Sequence, residues 1–220
     1  MRGFIFDLDG TLLDSIGLWL DIDKRYMAMH GIKYKREYSD EIKKLTFLEC
    51  AYYFRDVLGV NKEIEEIQKD WQDMSHHAYM NTLKLKPFAL EFVQKCAKNG
   101  KCIIATSCQY ECAHVALQRL GILPYIEEIV TTLDVGANKE NPKIYLACAE
   151  RIGCSVEECV VFEDVLSAAK CAKNAGFKVV GVYDEVWEPD QKELIKICDR
   201  RILSFKELLD CDKIDVEDFV

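Results

Sequence analysis

The chain has 220 residues, half of them hydrophobic, and carries 38 acidic against 29 basic side chains for a formal net charge of -9. That length suits one ordinary core domain with a small insert, and the acidic balance argues against a broad basic surface for nucleic acid or anionic lipid. No apolar run is long enough to span a bilayer, and Asp7 and Asp9 interrupt the N-terminal stretch where a signal peptide would be apolar. The expectation is a soluble, cytoplasmic protein with neither a nucleic-acid nor a membrane partner.

In chain order, Arg2 to Phe6 reads as a short strand that ends abruptly at Asp7, Gly10 and Thr11. From Ser15 to about Asn81 the pattern is helical. Leu18, Ile22, Tyr26 and Met29 recur at three and four residues before Gly31, and Tyr53, Leu58, Ile67 and Trp71 continue the helical reading. Nothing in this span reads as a long strand. After Pro87 helices and strands alternate: a helix over Leu90 to Lys98 closed by Gly100, a strand at Cys102 to Ala105, a helix from Glu111 to Leu120, and a strand at Ile129 and Val130. A helix from Pro142 to Ile152, a strand at Cys159 to Phe162, a helix through Ala168 to Asn174 and a strand at Val179 to Val182 complete the series.

Strands separated by such helices predict a parallel sheet covered on both faces, with ligands gathered at the carboxyl ends of its strands. The helical block is too long for a loop and reads as a second, smaller domain inserted into the first crossover. The expected division is residues 1–14 and 82–220 for the α/β core and 15–81 for the insert. The 11 cysteines lack CxxC pairs and lie mostly in apolar segments, as at Cys102, Cys159 and Cys171. Neither a disulfide framework nor a metal cluster is expected of them. Cys108 stands apart because it adjoins a polar motif.

Four polar clusters sit at predicted strand ends. The first is FDLDGT, Phe6 to Thr11, whose Asp7 and Asp9 converge on one small volume. Their repulsion calls for a cation. At ordinary residue usage, DxDGT arises by chance about once in 10⁵ start positions, so its place directly after an N-terminal strand is informative. The second cluster is the apolar run Ile103 to Ala105 ending in Thr106 and Ser107. The third is NKENPKIY, Asn138 to Tyr145. In the fourth, Val160 to Phe162 end in Glu163 and Asp164.

With these motifs, the chain resembles the haloacid dehalogenase superfamily of phosphohydrolases over nearly its whole length, in the branch with a helical cap after the first motif. The resemblance implies a Rossmann-like α/β core with an inserted all-helical cap. It also implies a Mg²⁺-dependent phosphatase acting through an aspartyl-phosphate intermediate. Position by position, Asp7 corresponds to the nucleophile and Asp9 to the acid and base. Thr106, with neighbouring Ser107, corresponds to the phosphate-binding hydroxyl, and Lys139 to the phosphate-binding cation. Asp7, Asp9 through its backbone carbonyl, and Asp164 correspond to metal ligands, with Glu163 in or beside their shell. The third motif departs from the family pattern KPxPDxF, with Glu140 for Pro and Lys143 for Asp. Val165 and Ala168 likewise replace Ser and Gly after the fourth.

The implied partner is a small phosphorylated metabolite, a sugar phosphate or nucleotide. Trp19, Tyr52, His76 and His77 are cap residues that could face it. A beta-phosphoglucomutase-like mutase shares the motifs, but its cap uses a His and an Arg where Trp19 and Phe47 align here. A catalytically silent binding domain would have no need of Asp7, Asp9, Lys139 and Asp164 together.

Overall fold

Strand β1 (Gly3–Phe6) is buried at all four of its positions and has a partner on each side, which is why it reads as an unbroken apolar run. The computed structural model describes residues 2–42, 45, 47–184 and 188–209. β2 (Lys101–Thr106), β3 (Ile129–Thr131), β4 (Cys159–Glu163), β5 (Lys178–Val182) and β6 (Arg200–Ile202) join β1 in a single sheet. The order is β3-β2-β1-β4-β5-β6 and every pairing is parallel. The chain moves outward from β1 through β2 and β3, then returns to the other side of β1 for β4. That reversal opens a crevice at the carboxyl ends of β1 and β4, the usual ligand position in such sheets.

Helices cover both faces of the sheet; α6 (Tyr110–Arg119) follows β2 and the short α7 (Thr132–Val135) follows β3. On one, Ile5, Ile103, Val161 and Val179 form a buried cluster with Ile144, Tyr145 and Cys148 of α8 (Lys143–Ile152) and Ala169 and Ala172 of α9 (Leu166–Asn174). On the other, Phe6 and Phe162 stack at 4.7 Å between ring centroids. Phe92 of α5 (Ala89–Asn99) meets them edge-on at 6.2 and 5.3 Å. Edge-to-face rings contribute about 0.5–1.5 kcal/mol beyond their buried area.

The alternation continues past the last strand predicted from sequence. After β5 come α10 (Glu188–Ile197), β6 and the short α11 (Lys206–Leu209). β6 escapes the sequence reading because an edge strand is wetted on one side and here opens with Arg200 and Arg201 in place of an apolar run.

Residues Gly17–Thr82 form a separate compact unit, and the described residues on either side of them form the core unit. The inserted unit contains α1 (Gly17–Met29), α2 (Arg36–Ile42), α3 (Phe47–Tyr52) and α4 (Ile64–Asn81). α3 runs on into a π-helical turn, Tyr53–Val57. Its own core gathers Ile22, Tyr26, Met27, Phe54, Ile67 and Trp71. Tyr26 donates its buried hydroxyl to Asp70 at 2.8 Å, and Lys62 pairs with the same carboxylate at 2.5 Å. Within the core unit the two connecting segments pair antiparallel. Asp14 N–H donates to the Lys84 carbonyl and Lys86 N–H to the Leu12 carbonyl, each at 2.9 Å.

Asp23 of α1 has a pKa pushed up to about 6 by burial, against an ordinary value of 3.8. A carboxyl raised in the folded state adds nothing to instability below its unfolded value, and its penalty grows as pH rises from 3.8 to about 6. Asp23→Asn should therefore stabilise the protein at pH 8 by up to about 3 kcal/mol, with the gain shrinking towards zero near pH 4. Urea unfolding of both proteins at the two pH values measures this; an equal gain at both would assign the effect to something other than the charge.

Candidate active site

Asp7 is the first residue beyond β1, and its N–H donates to the Phe162 carbonyl of neighbouring β4 at 3.0 Å. The loop after it curls back on itself: Leu12 and Leu13 N–H groups both donate to the Leu8 carbonyl, at 3.0 and 2.8 Å. Gly10 makes the curl possible. Its φ of +85° belongs to a region side chains avoid, and a Cβ there would lie 2.2 Å from Asp164 Oδ2. Thr11, fully buried, donates its hydroxyl to Asp164 Oδ1 at 3.0 Å, tying the first motif to the fourth.

β4 supplies Glu163 as its last residue, followed by Asp164, and both are buried. Asp7, Glu163 and Asp164 each offer an oxygen within 4.8 Å of the others. Lys139 reaches into this cluster from the chain before α8. Its ammonium pairs with Asp7 Oδ1 and, at 2.5 Å, with Glu163 Oε1. Tyr145 of α8 donates to that same Glu163 oxygen at 2.9 Å. Burial pulls the Lys139 pKa down, but the Asp7 and Glu163 carboxylates outweigh it and hold the lysine above its usual value. Glu163 is raised by burial, with Asp7 adding and Lys139 and Tyr145 opposing. Asp164 is raised well above the carboxylate range by burial, then by the charges of Asp7 and Glu163.

Three carboxyl groups face one ammonium, so ionising all of them together would leave a buried excess of negative charge. Asp7 Oδ2, itself buried, has no hydrogen-bond partner among the described residues. An orphaned carboxylate oxygen of this kind is costly. Hard oxygen donors in such a cluster fit Mg²⁺, which takes one or two protein carboxylates and keeps the rest of its shell for water and phosphate.

Asp9 accepts a hydrogen bond from the buried Ser15 hydroxyl at 2.7 Å through Oδ1. Thr106 is buried at the end of β2, and its hydroxyl oxygen accepts from Cys108 N–H at 3.0 Å. Ser107 is exposed beside it. Both stand at the sheet end that carries Asp7, outside the ion-paired cluster. Glu163 anchors Lys139, whose motif departs from the family pattern at Glu140 and Lys143. Thr11, Ser15 and Tyr145 escaped the sequence reading. Thr11 and Tyr145 lie within the first and third motifs and could have been found there, although the partner of each is reached only through the fold; Ser15 stands six positions from Asp9, outside any motif. In the inserted unit, Trp19 stands edge-on to Phe47 at 6.0 Å, while Tyr52, His76 and His77 are exposed.

The haloacid dehalogenase-like hydrolase profile matches residues 4–182. A phosphorylated carbohydrates phosphatase of Thermotoga maritima is 31% identical over 186 residues, covering 83% of this chain and 85% of that protein. Hexitol phosphatase A of Escherichia coli is 27% identical over 184 residues, covering 82% of each. Among solved structures, a Thermotoga maritima protein with a provisional beta-phosphoglucomutase name superposes with a TM-score of 0.82 at 27% identity. The match covers 92% of this chain and 94% of that one. No helix among the described residues is long and apolar enough to cross a membrane. The profile match spans most of the chain and takes in the acids at the ends of β1 and β4: the chain belongs to the haloacid dehalogenase-like hydrolases.

Proposed function

We propose that this protein is a phosphoric monoester hydrolase that releases phosphate from a small phosphorylated metabolite, with a phosphorylated carbohydrate as the favoured class, through an aspartyl-phosphate on Asp7. The observation that carries the reading is the pairing of Asp7 Oδ1 with a buried lysine while its Oδ2 is buried and without a hydrogen-bond partner among the described residues, in a cluster with Glu163 and Asp164. That is how a carboxylate is held when it must present one oxygen to a metal and a dianionic substrate. Relatives named for carbohydrate and hexitol phosphates support the substrate class.

Asp7, the Asp9 backbone carbonyl and Asp164 would hold Mg²⁺, with Glu163 beside them anchoring Lys139. The ion would supply charge neutralisation between nucleophile and phosphate. Asp7 attacks phosphorus, and the bond from phosphorus to the leaving oxygen breaks as Asp9 gives that oxygen its proton. Asp9, now a carboxylate oriented by Ser15, takes a proton from water as the water attacks the aspartyl-phosphate. Inorganic phosphate leaves and Asp7 is restored. Lys139, Thr106 and Ser107 bind the equatorial oxygens, over which charge spreads in a loose transition state.

The mutase alternative is disfavoured by Trp19 and Phe47, which put an aromatic edge-to-face pair where a mutase cap carries His and Arg. A panel of hexose phosphates, hexitol phosphates and nucleotides, assayed for phosphate release with Mg²⁺, tests the reading. The expected result is turnover of at least one carbohydrate phosphate. Conversion of a hexose 1-phosphate to the 6-phosphate without net release would replace it by the mutase, and silence across the panel and with p-nitrophenyl phosphate would sink it.

A further inference from the structure

We propose that Tyr145 is a positioning residue for phosphoryl transfer: its hydroxyl pins Glu163, and Glu163 in turn keeps Lys139 aimed at Asp7. The inference rests on the roles proposed above for Asp7 and Lys139. Tyr145 lies in the first turn of α8, fully buried, with its ring in the apolar layer beneath the sheet and tilted edge-on to Phe177 at 6.2 Å. A phenylalanine would fill that volume without bringing a hydroxyl into an apolar layer, and the family pattern in the third motif ends in Phe at this place. The hydroxyl therefore needs a reason to be there, and its partner supplies one. It donates at 2.9 Å to Glu163 Oε1, the oxygen that Lys139 Nζ also bonds at 2.5 Å.

A lysine is a point charge on a flexible stem, and the direction it takes is set by its acceptors. Among the described residues Lys139 has two, Asp7 Oδ1 and Glu163 Oε1. If the Glu163 carboxylate turned about its last torsion, the ammonium would follow it or lose it, and either change would alter the charge presented to a phosphate on Asp7. Tyr145 opposes that turn on one oxygen. Val165 N–H, 3.4 Å from the other, is a weaker restraint. Glu140 and Lys143 replace the Pro and Asp of the family pattern around the lysine, so restraint from Glu163 carries more of the positioning here.

The test is a double-mutant cycle on the full chain with Mg²⁺ and p-nitrophenyl phosphate, run with enzyme in excess so that slow variants remain readable. Tyr145→Phe should lower kcat roughly tenfold, the scale of one hydrogen bond to a charged group, with KM changed by less than about twofold. In a Lys139→Met background the same substitution should change the rate by less than about twofold, because the group it acts through is gone. A further tenfold loss in that background would assign Tyr145 a purely structural part and overturn the proposal. So would an unchanged kcat for Tyr145→Phe while Lys139→Met is crippled, an outcome that leaves the role of Lys139 standing. If Lys139→Met turned over at the wild-type rate, the reading of the lysine and this inference would fall together.

Discussion

Asp7→Asn is expected to lower phosphate release by at least about 10⁴-fold, the scale seen when a residue of a covalent catalytic unit is removed. The amide keeps the shape of the side chain, and its oxygen can still accept from Lys139, so the pocket stays filled. What it lacks, under the proposed mechanism, is the negative charge to attack phosphorus and the oxygen to carry the phosphoryl group. The loss should therefore appear in kcat and in the trapped intermediate alike. Acid quenching of the wild-type protein during turnover should leave acid-stable, hydroxylamine-labile phosphate on the chain, and Asp7→Asn should leave none. A variant that kept its rate within tenfold of wild type would remove Asp7 from the nucleophile's role. Asp7 is buried against two other carboxylates and one lysine, so thermal unfolding should accompany the assay to separate lost chemistry from lost fold.

The second large effect is expected at a residue with no side chain. Gly10→Ala places a Cβ 2.2 Å from Asp164 Oδ2 and 2.7 Å from Ile16 Cγ1, at a φ of +85°. The backbone conformation alone costs about 1–2 kcal/mol, and overpacking typically adds about 1–3 kcal/mol. The cheapest relief is for the Asp164 carboxylate to turn away, which also strains its 3.0 Å bond from Thr11. Under the proposed assignment this displaces a metal ligand. The Mg²⁺ concentration giving half-maximal activity should then rise by about tenfold or more, since one misplaced ligand costs on the order of 1–2 kcal/mol. Gly17→Ala is the control, because a Cβ there meets nothing within 4 Å among the described residues. Unchanged Mg²⁺ dependence in Gly10→Ala would separate Asp164 from the metal.

Much of the architecture was legible along the chain because its signals are local. Parallel strands buried on both faces read as apolar runs, and β1, β2, β4 and β5 were each located within a residue or two at either end. Helix α8 was found from Pro142, and α5 ends at Asn99, against the Gly100 that was read as its stop. β6 was not legible, because a short edge strand opening with two arginines has the composition of a loop. The first and fourth motifs announced their acids by standing directly after apolar runs. Their proximity follows from the pairing of β1 with β4, which sets Phe6 beside Phe162 and the next residues of each strand together.

The chain by itself thus determined which residues carry charge at strand ends and that the strands run parallel, since periodicity, composition and short motifs are properties of neighbouring positions. Only the tertiary structure decided how those charges are divided. Lys139 is shared by Asp7 and Glu163, Tyr145 bonds the same Glu163 oxygen, Thr11 holds Asp164 and Ser15 holds Asp9. Apart from Ser15 with Asp9, these partners lie from 18 to 153 positions apart. No local pattern specifies which donor meets which oxygen; that follows from the strand order and from the depth at which each helix packs on the sheet.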